Sequence, residues 1–65
     1  MKLSIKVEFW HDEESDVNES HKNELIAHAL NVINEKQADG FVAGEINREV
    51  EGVYYNGLWE LKVKD

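Results

Sequence analysis

The chain has 65 residues, 14 acidic against 7 basic side chains, a formal charge of −7, and neither cysteine nor proline. That length allows one domain over residues 1–65, and the absence of cysteine excludes disulfide staples and thiolate metal sites. So negative a field repels a phosphate backbone, which argues against direct nucleic-acid binding and favours a basic partner.

The first segment, Lys2 to Phe9, alternates strictly. Leu3, Ile5, Val7 and Phe9 share one face and Lys2, Ser4, Lys6 and Glu8 the other, the period of a half-buried strand. Trp10 breaks the pattern by falling on the polar face. From His11 to Asp16 there is no apolar residue, and five of the acids sit between residues 11 and 20. This reads as a solvated acidic loop, with Asp16 and Ser20 as candidate helix caps and Glu19 completing an approximate capping box.

From about Ser20 to Ala38 the spacing becomes helical. Ile26, Leu30 and Ile33 form one apolar row and Leu25, Ala29 and Val32 a second beside it, a stripe wide enough to cover one face of a sheet. Gly40 is placed to end the helix in the left-handed conformation.

The remainder reads as a long hairpin about Asn56-Gly57, a dipeptide suited to the two positive φ angles of a type I′ turn. That register sets Tyr54 against Trp59, Val50 against Val63, Glu51 against Lys62 and Glu49 against Lys64. A turn at Glu51-Gly52 competes with it and would split the first arm. The expected fold is α+β with element order β-α-β-β. One helix packs on one face of a three-stranded sheet, and strand three is central.

A single helix leaves the other sheet face bare. On that face the sequence places Trp10, Val53, Tyr55 and Leu58 within a charged surround, the composition of a protein-binding hot spot. The expected partner-binding residues are therefore Asp12, Glu13, Glu14 and Asp16 of the acidic loop together with Trp10, Tyr55 and Leu58.

No catalytic residue, metal or cofactor is expected. His21, Glu24 and His28 fall near one helical face, but two turns, about 10 Å, separate the imidazoles, too far to share one ion. The acidic loop lacks the ligand spacing of a calcium-binding loop. The chain has no nucleophile elbow and no glycine-rich phosphate loop.

The expectation is thus a non-catalytic interaction module, homodimeric, with a protein partner that is basic. It would inhibit or modulate a nucleic-acid-handling protein by presenting carboxylates where phosphates would go. Small acidic proteins of phages and mobile elements, some anti-restriction and anti-CRISPR proteins among them, act this way, and size and charge are the features shared. The alternative is a small regulatory domain that binds a ligand at a homodimer interface. No apolar run approaches the ~18 residues of a membrane span and no signal-peptide core is evident, so a cytoplasmic protein is expected.

Overall fold

A computed structural model describes residues 1–12 and 17–65. Strand β1 (Lys2–Trp10) is followed in the chain by a 3-10 turn (Glu19–His21) and helix α1 (Lys22–Ala38). Strands β2 (Ala43–Val50) and β3 (Val53–Lys64) follow. The sheet order is β1-β3-β2 with both neighbouring pairs antiparallel, and the helix packs on one face, closest to β2. This is the expected α+β architecture in the expected order.

β1 forms where the alternation places it. Entry to the helix is capped by Asn18, whose Oδ1 accepts from the Ser20 backbone N–H at 3.0 Å and from the Ser20 hydroxyl at 2.8 Å. Of the two expected caps, Ser20 lies inside the 3-10 turn and donates to Asn18, and Asp16 lies outside the described residues. At the far end Gly40 N–H reaches Gln37 O and Phe41 N–H reaches Lys36 O, both at 2.9 Å, closing a Schellman motif. Phe41 then lies under the Lys36 ammonium, 5.6 Å from the ring centre.

The hairpin turns elsewhere than expected. Val50 pairs with Val53, and the two residues between them, Glu51 and Gly52, have φ of 48° and 83°, the two positive values of a type I′ turn. Asn56-Gly57 instead lies within β3, where Gly57 pairs with Ile46 on one side and Phe9 on the other. A Cβ on Gly57 would lie 2.7 Å from Phe9 Cδ1 and 2.8 Å from the Glu8 carbonyl oxygen. The glycine serves a close approach between strands rather than a bend.

Turning early also pairs more backbone. It makes β3 a central strand of 12 residues that bonds to 9 residues of β1 and 8 of β2. The expected cross-strand pairs dissolve: Tyr54 faces Glu49, Trp59 faces Gly44 and Val7, and Tyr54 and Trp59 point to opposite sides of the sheet.

The core lies between α1 and the sheet in two clusters. Ala29, Ile33, Ile46 and Trp59 form one, and Leu25, Val50 and Tyr55 the other, with Phe9 packed against both. Several side chains of the apolar face of β1 and the apolar rows of α1 are exposed, among them Leu3, Ile5, Ile26 and Leu30, as are Tyr54 and Val63. Lengths explain part of this. A strand of 12 residues spans about 40 Å, matching the 39 Å long axis, whereas a helix of 17 residues spans about 25 Å. The helix starts beside the β2–β3 turn and stops short of the far end of the sheet.

Candidate functional site

The sheet face turned away from α1 is built from cross-strand rows. Trp10, Asn56 and Asn47 form one row, Glu8, Leu58 and Glu45 the next, and Lys6, Glu60 and Ala43 a third. Beyond the first row Tyr54 faces Glu49, and at the opposite end Ser4 faces Lys62 and Lys2 faces Lys64. Alternation along each strand puts these residues on one face, since their neighbours Ile46, Val50, Tyr55, Gly57 and Trp59 are buried under the helix.

Three large apolar side chains are about half exposed on this face: Trp10 at 45 %, Leu58 at 49 % and Tyr54 at 53 %. Asn56 lies between Tyr54 and Leu58 in sequence and directly opposes Trp10, so both flank the indole on the diagonals, about 7–8 Å across the strands. Glu8, Glu45 and Glu49 border the group. Beside Leu58 the surface dips into a shallow depression of about 400 Å³ lined by Lys6, Glu8, Glu45 and Glu60. The face is also electrically polarised, with carboxylates around Leu58 and Tyr54 and the lysines Lys2, Lys62 and Lys64 at the other end.

The expected binding residues are thus partly brought together. Trp10 and Leu58 share the open face, and Asp12 is exposed just beyond Trp10. Glu13, Glu14 and Asp16 lie outside the described residues. Tyr55 does not belong to the surface. It is fully buried, at 0 % exposure, because the early turn reverses the facing of residues 53–55. Val53 moves to the helix side with it, and Tyr54 takes the place expected for Tyr55.

Burial gives Tyr55 a different role. Its hydroxyl lies 2.7 Å from His21 Nδ1 and accepts from the Asn18 backbone N–H at 3.4 Å, while His21 Nε2 lies 3.0 Å from Glu51 Oε2. The network assigns the Tyr55 O–H as donor to Nδ1 and the Nε2–H as donor to Glu51. His11 stacks edge-on to Tyr55 with ring centres 5.3 Å apart. His21 is 3 % exposed. The triad resembles a proton relay in composition, with its phenol buried. It ties the helix entry to the β2–β3 turn.

The other histidine–carboxylate candidates separate as well. Glu24 pairs with Arg48 at 2.8 Å, and among the described residues no three His, Asp or Glu side chains gather as a cation site. No described helix is long and apolar enough to cross a membrane. Among the described residues one buried polar side-chain atom, the Trp59 indole nitrogen, has no hydrogen-bond partner. No protein-family model, curated protein or solved structure matches the chain.

Proposed function

We propose that this protein is a non-catalytic interaction module that binds a basic protein partner through the open face of its sheet. One observation carries the reading: Trp10, Tyr54 and Leu58, each about half exposed, form an apolar group bordered by Glu8, Glu45 and Glu49. Aromatic anchors with a charged border are what a recognition surface needs. The apolar centre supplies affinity, and the carboxylates select and steer a cationic partner. A chain of net charge −7 that offers carboxylates along a strand-sized face suits a partner whose own surface is built to hold phosphates. Inhibition or modulation of a nucleic-acid-handling protein is the corresponding activity, as for small acidic proteins of phages and mobile elements. A cytoplasmic setting fits a chain without cysteine.

The test is affinity capture from the native host with the wild-type chain and two surface variants, one carrying Trp10→Ser and Leu58→Ser, the other Glu8→Gln, Glu45→Gln and Glu49→Gln. A basic partner retained at low salt, released at high salt and lost with either variant supports the proposal. Capture of the same partner equally by all three chains, or capture indifferent to salt, rejects it.

A further inference from the structure

On the helix side of the sheet, an open groove of about 540 Å³ runs along β1. Met1, Leu3, Ile5, Leu30, Leu61 and Val63 line it, and no acidic or basic side chain does. Leu3, Ile5, Leu30 and Val63 are 47–58 % exposed, and Ile26, one turn before Leu30 on the same helix flank, is 56 % exposed. A separate, smaller recess lies at Phe9, Val17, Lys22, Leu25 and Ile26. Beside it runs β1, an edge strand of the three-stranded sheet.

We infer that a second copy of this chain covers this groove by pairing its own β1 antiparallel with β1 at the sheet edge. Its helix-side apolar residues close the groove's open flank beside Ile26 and Leu30, and the two copies make one six-stranded sheet about a two-fold axis. Three observations select a second copy over any other occupant.

The first is charge. Residues 1–10 carry +1 in a chain of −7, so this edge is where two copies meet with least repulsion. The second is polarity along the strand. Lys2 lies beside Lys64 at one end of the outer face, and Glu8 lies beside Leu58 and Glu45 towards the other. An antiparallel register centred on Ile5 brings Lys2 of each copy against Glu8 of the other, twice, and sets Leu3 against Val7 within the apolar layer. The other edge, β2, presents Glu45 and Glu49 outward with no lysine and offers no such match. The third is area. Met1, Leu3, Ile5, Ile26, Leu30 and Val63 together expose roughly 600 Å², near the about 800 Å² each partner contributes to a standard interface. Lys2 and Glu8 lie on the open face that the proposed basic partner would use, but the dimer is read from the mass of the chain alone, so its failure is distinguishable from failure of that reading.

Sedimentation equilibrium of the wild-type chain at micromolar concentration is expected to give twice the chain mass. Lys2→Glu, an exposed change that leaves the core alone, should weaken the dimer at least tenfold, and the double swap Lys2→Glu with Glu8→Lys should restore it. Because the chain has no cysteine, Ile5→Cys provides a second readout that reports which residues oppose one another. Mild oxidation should link it into a covalent dimer through directly opposed residues, whereas Asn47→Cys on the β2 edge should remain unlinked. A wild-type chain at single mass throughout, or linking through Asn47→Cys and not Ile5→Cys, overturns the inference.

Discussion

Glu51 holds a backbone conformation, φ 48°, that a side chain with a Cβ seldom adopts, at a turn position where asparagine or glycine is usual. Its carboxylate accepts from His21 Nε2, and His21 in turn is held by Tyr55. The turn and the helix entry are therefore fixed by one chain of hydrogen bonds. Tyr55→Phe keeps the ring packing but leaves buried His21 Nδ1 without its donor and the Asn18 N–H without its acceptor, and should cost about 1–3 kcal/mol in urea unfolding. Glu51→Ala loses the His21 contact and keeps the awkward backbone, whereas Glu51→Asn loses the contact but suits the turn. Unfolding midpoints should therefore rank Asn above Ala. Gly57→Ala forces a methyl into Phe9 and the Glu8 carbonyl and should destabilise by about 1–3 kcal/mol. If Gly57→Ala is neutral, the close strand approach described at that position is wrong.

At the scale of elements, most of the fold was legible. Strict alternation marked β1, the two apolar rows and Gly40 marked α1, and the antiparallel order β1-β3-β2 followed from handedness and pairing. The hairpin was not. Asn56-Gly57 and Glu51-Gly52 are both plausible turns locally, and the choice between them is made by strand β1, which is remote in sequence. Gly57 is required beneath Phe9, and β3 can pair with all nine residues of β1 only if the chain turns early.

Moving a two-residue turn from 56–57 to 51–52 reverses the facing only of the residues between. That is why Tyr54 and Tyr55 exchanged places while Leu58, Glu60 and Lys62 stayed where the alternation put them. Trp10 and Leu58 were therefore readable as surface residues, and Tyr54 was not. If this account of the turn is right, Asn56 is an ordinary mid-strand residue, and Asn56→Thr should raise stability by up to about 1 kcal/mol through its better strand propensity. A turn at Asn56 would instead make that substitution clearly destabilising.

The whole molecule presents two unlike surfaces on one sheet. The helix side carries the core and, along β1, an uncharged apolar groove; the open side carries the aromatic group with its carboxylates. Pairing through β1 would extend the open side into a continuous six-stranded surface with two such groups, so that one dimer engages two sites on a partner, or two partners. Loss of the dimer through Lys2→Glu should then lower apparent affinity for a bivalent partner without abolishing the contact of a single copy.

The claim on which the rest turns is that recognition uses the open face of the sheet. Backbone amide shifts of the labelled chain, followed as the captured partner is titrated in, test it residue by residue. The largest changes are expected at Glu8, Trp10, Glu45, Tyr54 and Leu58, with the outward helix positions Ala27, Asn31 and Glu35 unmoved. Changes concentrated on those helix positions, with the five strand positions silent, would contradict it.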